Sequence, residues 1–499
     1  MMRRRPRNDY EPVKRSRALG AVSDFALADS PLTSESPIPT DQRFPLENSK
    51  ATDTNENHSE LNGASKTFLK RGHVIPFAML WLFTLLLYAR PGEFYPSALT
   101  ASIALIVGLI TLALFVPTQL ALEGTLTASL PEVKIVLLLA LAGLLSIPLA
   151  LDPAQAWLSF DSTFDRCIVI FIVMINVVRT EFRLRGLLLL ALVAAIWLSV
   201  QAIDDYRLGL STVEGYRATG RGDGIFGNTN DMALHMVTTL PIAIALLFNS
   251  RRFGLKLLYG LCALLILIAI VLSYSRGAFI GLLVSLIFLG LKLGRNNRVG
   301  IALGILLAGV VFLVIAPGYG TRILSIFIPS LDPVGSADAR RGELFRSLYV
   351  ALRHPFFGIG MGNYASQMSF RGLVTHNAYT QVASEMGLAA LVCYVMFIVK
   401  PLRKLAQIAH ETFAGKDNSR FYYLTVGLQA SLIAYLVSSF FLSIAYTWYV
   451  YYLVGYAVCL RRLYEAETGK LVVLESKEAR KQRQAPIASG IGERDAVTI

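Results

Sequence analysis

Long apolar runs constrain this chain more than any other feature of its sequence. The run 255–292 is broken only by the segment Ser273-Tyr-Ser-Arg-Gly277. As a single helix it would be about 57 Å long at 1.5 Å per residue, roughly twice the ~30 Å hydrocarbon core of a bilayer. We therefore expect a helical hairpin that crosses the membrane twice. Residues 421–460 pose the same problem, and a turn is expected there near Ser443.

The composition favours a membrane protein over a soluble one. Hydrophobic residues make up 54% of the 499 residues and charged residues only 16%, whereas soluble domains carry roughly 25% charged residues. One soluble core cannot absorb so much apolar surface, because polar groups must cover its outside. The predicted fold class is all-α: a polytopic integral membrane protein with about 12 transmembrane helices and a large external loop that contains short helices. Spans are predicted near residues 74–89, 97–117, 133–151, 167–178, 185–203, 232–248, 255–274, 277–293, 299–316, 378–399, 421–442 and 445–462.

The charge pattern excludes one class of partner and the cysteine pattern excludes one kind of site. A net charge of +13 is compatible with nucleic-acid binding. However, the basic residues lie between apolar runs, as expected of membrane loops, so no nucleic-acid partner is expected. The four cysteines lie in or beside apolar runs without CxxC spacing, and packing roles are expected for them rather than disulfides or a metal site.

The chain divides into a membrane domain and two polar tails. Residues 1–72 begin with a basic run that no apolar segment follows, which excludes a signal peptide and predicts a disordered, basic cytoplasmic tail. Residues 464–499 are predicted to form a cytoplasmic C-terminal tail, and residues 73–463 the membrane domain. Twelve crossings place both termini on one side. Basic residues concentrate in four breaks, which predicts that these are cytoplasmic: 179–185, 250–256, 291–298 and 400–420.

Two predicted external loops, 204–231 and 317–377, carry positive charge against this rule. They contain nine arginines and no lysine, although the chain has thirteen lysines. Guanidinium groups bind phosphate through a bidentate fork, so a phosphate-binding role is favoured for the set. In the alternative, these arginines pair with lipid headgroups or with acidic residues of the same loops. Arg276 is the only charged residue between Lys256 and Lys292, and it is expected at the same external surface.

The second loop and the start of the sixth span hold the other candidate groups. His376 precedes an apolar helix and could accept a proton from a hydroxyl near neutral pH, but a helix-capping or interfacial histidine is an equal alternative. His354 is the next candidate. Near the sixth span, Asn228 and Asn230 could cap a helix or bind substrate, and His235 is expected in the interior. The Gly358-Ile-Gly-Met-Gly362 run is outside any βαβ unit, so it does not indicate a nucleotide site.

Three stretches in this order resemble the O-antigen ligase and O-antigen polymerase superfamily of bacterial polysaccharide assembly. The resemblance covers roughly residues 74–462, and it implies an architecture similar to the GT-C-like membrane glycosyltransferases. The three stretches are Phe226-Gly-Asn-Thr-Asn-Asp-Met-Ala233, then Ser273-Tyr-Ser-Arg-Gly-Ala-Phe279, then the long loop with Arg-x-x-x-Phe345, His354-Pro-Phe-Phe-Gly-Ile-Gly-Met-Gly-Asn363 and His376-Asn-Ala-Tyr-Thr-Gln381.

The resemblance implies transfer of a glycan from undecaprenyl diphosphate to an acceptor hydroxyl on the periplasmic side of the bacterial inner membrane. His376 would be the general base or would orient that hydroxyl. Arg341, by its spacing to Phe345, would hold the diphosphate, with Arg340 as the neighbouring candidate. Relatives often carry tryptophan at the position of Phe345. The remaining candidates are a second clamp from Arg217 or Arg221, a contribution from Arg276, and supporting roles for Asn228, Asn230, Asn377 and Tyr379.

The expected partners are the lipid-linked glycan donor, a lipid A core or growing polysaccharide acceptor, and membrane lipids. Neither a cofactor nor a metal is expected, because diphosphate is already a good leaving group and arginines can stabilise its charge. The alternative within the superfamily is a polymerase of O-antigen or exopolysaccharide. An alternative of another class is a transporter or flippase for a lipid-linked saccharide. It is disfavoured because the chain shows no clear repeat and its charges gather on one side.

Overall fold

The computed structural model describes residues 72–472, except 211, 214–215, 222–224, 295–297, 316–317, 327, 332–334, 371 and 416–419. The predicted N-terminal tail lies outside the described residues apart from Gly72. Most of the predicted C-terminal tail also lies outside them. The last described helix ends at Thr468, five residues beyond the predicted end of the membrane domain.

The described residues are predominantly α-helical, which confirms the predicted fold class. The first part of the chain forms α1 (Val74–Ala89), α2 (Pro91–Phe94), α3 (Ala98–Glu123), α4 (Pro131–Ser146), α5 (Pro153–Ser159), α6 (Asp165–Val177), α7 (Glu181–Leu208) and α8 (Thr229–Asn249). The second part forms α9 (Phe253–Leu272), α10 (Arg276–Leu293), α11 (Arg298–Ile315), α12 (Tyr319–Leu324), α13 (Ser336–Arg353), α14 (Ala378–Met386), α15 (Leu388–Glu411), α16 (Tyr422–Ser438) and α17 (Trp448–Thr468).

Shorter elements connect these helices. Two-residue strands β1 (Thr212–Val213) and β2 (Arg217–Ala218) pair antiparallel, with Thr212 opposite Ala218. Single 3₁₀ or π turns occur at Phe160–Phe164, Ile225–Gly227, Pro329–Leu331, Tyr364–Met368 and Ser439–Phe441. The predicted first external loop therefore contains a small hairpin as well as irregular segments.

Helices occupy all twelve predicted spans, and seven of the described helices are long and apolar enough to cross a membrane. The run 255–292 forms the expected hairpin of α9 and α10. The predicted span 378–399 is not one continuous helix. It is interrupted between α14 and α15 at Gly387, whose φ is 90°. A Cβ atom at Gly387 would lie 2.2 Å from the carbonyl oxygen of Phe356, so the glycine lets another segment pack against the break.

The interior of the helix assembly is formed mainly by α8, α16 and α17. Most of their side chains are buried, whereas α3 and α9 have only four buried residues each. In a membrane protein, such exposed apolar surfaces suit contact with lipid chains. The four cysteines are unpaired, and Cys167, Cys262 and Cys459 are buried, as expected for packing residues.

A buried cluster of charged side chains connects three helices in the predicted cytoplasmic half of the membrane domain. The Glu132 carboxylate of α4 accepts hydrogen bonds from Lys404 Nζ of α15 at 3.1 Å and from Arg461 of α17 at 3.0 and 3.1 Å. All three side chains are buried. Removing one member of such a cluster leaves an uncompensated charge, which typically costs about 3–5 kcal/mol.

The alternation of spans predicts the side on which each loop lies. A topology reporter fused after Asp338, at the start of α13, should report an external position. The same reporter fused after Arg252, in the basic break between α8 and α9, should report a cytoplasmic position. Paired alkaline phosphatase and green fluorescent protein fusions measure both positions. A cytoplasmic signal at Asp338 would contradict the predicted topology.

Candidate functional site

Five separate segments meet at one cleft with a volume of about 240 Å³. They are the start of α10, the segment after α12, the first half of α13, the segment that precedes α14, and the turn that follows α16. Three predicted site arginines and the predicted base lie together in this cleft. Its lining residues are Arg276, Ile326, Ala337, Arg340, Arg341, Leu344, Phe345, Thr375, His376, Asn377, Phe440 and Phe441.

Helix α13 supplies two of the arginines. It begins after Gly335, which adopts a left-handed conformation with a φ of 68°. Arg340 and Arg341 follow about one helical turn later. The i, i+4 spacing places the Arg341 guanidinium 5.9 Å from the centre of the Phe345 ring, close enough for a cation–π contact. Arg341 is exposed, whereas Arg340 is half-buried. The predicted helix and the predicted relation between Arg341 and Phe345 are therefore both present.

The large apolar side chains in the second half of α13 do not face the protein interior. Leu348, Tyr349 and Leu352 are exposed, while Ser347 and Val350 on another face are buried. Glu343 is also buried, and its carboxylate accepts hydrogen bonds from Tyr364 at 2.7 Å and from Arg346 at 3.0 Å. The exposed stripe makes α13 an amphipathic helix. The polar contacts of Glu343 hold the opposite face against residues that follow the glycine-rich segment.

Arg276 is the first residue of α10 and is only 6% exposed. Its Nη2 donates to the Ser336 hydroxyl at 3.3 Å, so the arginine touches the first residue of α13. A charge at this depth requires a polar partner or water. The contact therefore joins the turn between α9 and α10 to the segment that carries Arg340 and Arg341.

His376 lies in a strained backbone conformation at the edge of the cleft. Its φ is 52°, in the left-handed region that costs a non-glycine residue about 1–2 kcal/mol. The Thr375 hydroxyl donates to the Asn377 carbonyl at 3.0 Å and is 2.8 Å from the Ser443 hydroxyl. The Asn377 side chain caps α14 by accepting from the N–H groups of Tyr379 and Thr380 at 2.9 and 3.0 Å. The helix cap is therefore Asn377, and His376 is held between two anchored neighbours.

The surroundings of His376 favour its neutral form. Burial, and to a smaller extent the nearby positive charge of Arg340, lower the pKa of His376 to about 4. The imidazole is thus uncharged near pH 7 and keeps a lone pair that can accept a proton. Such a group could serve as a general base for a hydroxyl that reaches the cleft.

The two predicted second-clamp arginines do not line this cleft. Arg221 forms ion pairs with Asp204 and Asp205, with its Nε 2.8 Å from Asp205 Oδ1, as the acidic-partner alternative anticipated. Arg217 is buried, and it donates to the Ser273 carbonyl at 3.1 Å and to Asn230 Oδ1 at 3.0 Å. Both guanidinium groups already have protein partners.

The remaining predicted polar residues have identifiable structural contacts. The Asn228 side chain accepts from the Asn230 N–H at 2.9 Å and caps α8. The Tyr379 hydroxyl donates to the Leu436 carbonyl at 2.7 Å, which joins α14 to α16. His235 is buried, with its Nε2 3.2 Å from the Ala191 carbonyl. These contacts agree with the capping alternative for Asn228 and with the interior position expected for His235.

The glycine-rich segment shapes the site in a way that the sequence reasoning missed. The backbone N–H groups of Ile359 and Gly360 donate to the carbonyls of Ser384 and Glu385 at 2.9 Å each. A Cβ atom on Gly358 would lie 2.3 Å from the backbone of Glu385. The glycines therefore allow one backbone to pack directly on another at the end of α14. The sequence did contain a signal for this packing, namely closely spaced glycines together with a helix that ends at a glycine.

Phe440 and Phe441 also escaped the sequence reasoning, because they lie within an apolar run. The 3₁₀ turn Ser439–Phe441 ends α16 and brings both rings to the cleft. Gly277 packs against Phe441, where a Cβ atom would lie 2.8 Å from the Phe441 Cβ. The cleft thus has apolar lining from two aromatic rings in addition to its arginines.

Residues 261–395 match the family model described as O-antigen ligase. This match supports the resemblance of the chain to the O-antigen ligase and polymerase superfamily. The match is shorter than the resemblance over residues 74–462, but it contains Arg276, Arg340, Arg341 and His376. No curated protein matches the chain. The chain is therefore a multi-pass membrane protein that contains a region similar to the O-antigen ligase family.

The proximity of Arg340 predicts a measurable electrostatic effect on His376. In Arg340→Gln, the pKa of His376 should rise from about 4 towards its ordinary value, because a positive neighbour is removed while burial remains. The pH dependence of diethyl pyrocarbonate labelling, followed by mass spectrometry of the His376 peptide, measures this shift. Arg353→Gln, on the same helix but outside the cleft, is the matched control and should leave the profile unchanged. An identical profile in Arg340→Gln would contradict the predicted coupling.

Proposed function

We propose that the chain transfers a glycan from undecaprenyl diphosphate to an acceptor hydroxyl at this cleft. The observation that carries the proposal is the meeting of Arg276, Arg340 and Arg341 with a neutral His376 in one cavity. Arg276 and His376 are one hundred positions apart in the sequence. Their proximity gives the O-antigen ligase-type domain one place that combines anion binding with a proton acceptor.

The arginines are assigned to the donor. As the bond between the anomeric carbon and the carrier breaks, negative charge grows on the diphosphate, and guanidinium groups already in place stabilise it. Arg341 is exposed at the mouth of the cleft, while Arg276 is deeply buried. We therefore assign the clamp to Arg276, Arg340 and Arg341 in place of Arg217 and Arg221. Both of the latter are engaged elsewhere.

His376 is assigned to the acceptor. The acceptor oxygen forms a bond to the anomeric carbon while the carbon–oxygen bond to diphosphate breaks, and His376 takes the hydroxyl proton. A single displacement of this kind inverts the anomeric configuration. Bound diphosphate would offset the positive charge of Arg340 and raise the pKa of His376, so donor binding would strengthen the base.

The size of the cleft limits what it encloses. A volume of about 240 Å³ is below the roughly 300–1,000 Å³ of pockets that enclose a drug-sized ligand. The cavity therefore suits the diphosphate and the reacting sugar, while the lipid and the remaining glycan extend outside it. This fits an enzyme that handles long polymers at the periplasmic surface of the bacterial inner membrane.

The proposed acceptor is lipid A core or a growing polysaccharide. Deletion of the gene in the source bacterium, followed by glycan gel analysis, separates these activities. Loss of long chains from core lipid indicates a ligase, whereas products with a single repeat indicate a polymerase. Accumulation of lipid-linked saccharide on the cytoplasmic side of the membrane would instead indicate transport and would contradict the proposal.

His376→Ala should abolish glycan transfer because no other described cleft side chain can accept the hydroxyl proton near neutral pH. A loss of about 10²–10⁴-fold is expected for a general base. The measurement is product formation by purified protein with a lipid-linked donor, together with a check of membrane insertion. His354→Ala is the matched control, since His354 lies at the end of α13 and does not line the cleft. Full activity in His376→Ala would reject the catalytic assignment.

Arg341→Lys should sharply reduce transfer although it keeps the charge. Lysine cannot form the bidentate fork, so donor binding and stabilisation of the leaving group should both weaken. Initial rates at several donor concentrations separate the two effects. Arg353→Lys makes the same exchange at an exposed position of α13 outside the cleft and should keep wild-type rates. Equal activity of Arg341→Lys and wild type would show that a point charge suffices.

A further inference from the structure

We infer that Arg217, Asn230 and Ser275 are positioning residues that hold the turn from which Arg276 enters the cleft. The inference rests on the proposed function, since it concerns the placement of a proposed donor-binding arginine. It gives Arg217 a role that needs no contact with the donor. It also gives Asn230 a specific task that a helix start alone would not require.

The turn between α9 and α10 is short and strained. Helix α9 ends at Leu272 and α10 starts at Arg276, which leaves three residues to reverse the chain. Tyr274 in the middle has a φ of 49°, in the left-handed region that non-glycine residues rarely adopt. Such a conformation persists only where the surrounding contacts determine it. The residues that form hydrogen bonds to this turn therefore show what holds it in place.

Arg217 and Asn230 form one connected network with the turn. Arg217 Nε donates to the Ser273 carbonyl at 3.1 Å, and its Nη2 donates to Asn230 Oδ1 at 3.0 Å. The same Asn230 oxygen accepts from the Ser275 hydroxyl at 2.9 Å. One buried guanidinium and one amide oxygen thus hold both flanks of Tyr274. The contacts come from β2 and α8, so the turn is fixed relative to two other parts of the fold.

Ser275 shows that the network does more than stabilise a helix end. Serine at the position before a helix normally accepts a hydrogen bond from a backbone N–H of the first turn. Ser275 occupies this position before α10, yet its side chain makes no cap hydrogen bond. Its hydroxyl donates to Asn230 instead. Local helix stability is given up for a contact that fixes where α10 begins.

Arg322 supports the same turn from another side. Its Nε donates to the Tyr274 carbonyl at 3.0 Å, and its guanidinium lies 5.4 Å from the centre of the Tyr216 ring. Two arginines therefore bind consecutive carbonyls after the C-terminus of α9. Positive charge is favourable there because the helix dipole leaves partial negative charge at that end. The turn is held by protein cations before any substrate binds.

The immediate consequence concerns Arg276, the next residue along the chain. Its guanidinium is buried and has a defined contact with Ser336. A shift of about 1 Å in a binding group can cost roughly a hundredfold in rate. Loosening the turn should therefore misplace Arg276 and weaken diphosphate binding, even though all cleft residues remain present.

The test measures binding of glycan-free undecaprenyl diphosphate to purified full-length protein in detergent. Asn230→Leu removes the accepting oxygen at similar size, and its Kd should rise about ten- to hundredfold. Asn230→Asp keeps an oxygen acceptor and should restore affinity to within about threefold of wild type, an estimate that assumes most of the network is retained. Since Asn230→Leu could fail to fold, Ser275→Ala is the second variant. It removes one hydroxyl and should weaken binding about three- to tenfold, while Ser275→Thr should retain it.

Matched controls separate positioning from general damage. Ser97→Ala removes a capping serine hydroxyl at the start of α3, on the same predicted side of the membrane, and should leave Kd unchanged. Arg166→Ala removes an exposed external arginine and should also leave Kd unchanged. Thermal unfolding of each variant shows whether it is folded.

The possible results distinguish this inference from the proposed function. If wild type does not bind the probe, or if Arg276→Ala binds it normally, the proposed function is wrong. If Arg276→Ala binds weakly while folded Asn230→Leu and Ser275→Ala bind normally, only the positioning inference is wrong. If Arg217→Lys alone loses binding, Arg217 acts by direct contact with the donor, and the positioning inference is again overturned.

Discussion

The cost of removing guanidinium groups from water governs the structure around the cleft. An arginine at the end of a membrane helix must find a carbonyl, a carboxylate, an aromatic face or water. Arg221 is satisfied by two aspartates and Arg217 by a carbonyl and an amide. Arg341 lies over Phe345 at the mouth of the cleft. Arg217 and Arg221 thus have structural contacts, whereas Arg276, Arg340 and Arg341 line one cavity, and of these two sets only the second suits an anionic substrate.

Direct backbone packing provides the second constraint. The segment around Gly358 and Gly360 lies against the end of α14, and Gly387 makes room for Phe356 on the other side of the break. Any side chain at these glycines would push the segments apart. Because α14 begins just after His376, the glycine contacts indirectly set the position of the proposed base relative to α13. A loop that is rich in glycine is here a rigid connection and not a flexible one.

The sequence was sufficient to predict the helical hairpin, the presence of short helices in the long loop, and the assignment of Arg276 and His376 to one candidate site. Those predictions depended on apolar run length, on spacing within one helix and on a family resemblance, and each of these is visible locally. The sequence could not choose between Arg217 and Arg221, since their partners lie on other segments. Nor could it locate Phe440 and Phe441, because aromatic residues within an apolar run give no signal of which ones reach a cavity. The break at Gly387 was missed because the apolar pattern continues through it.

The buried cluster around Glu132 has a consequence for how this chain can vary. Glu132 accepts from both Lys404 and Arg461, and Arg461 also lies 3.8 Å from Glu465. Two carboxylates and two cations balance within the cluster, so replacement of any one member by a neutral residue leaves a charge stranded among helices. Homologues should therefore either keep all four ionisable residues or replace all four together by apolar ones. These positions should covary as a unit across evolution, independently of the substrate that each enzyme uses.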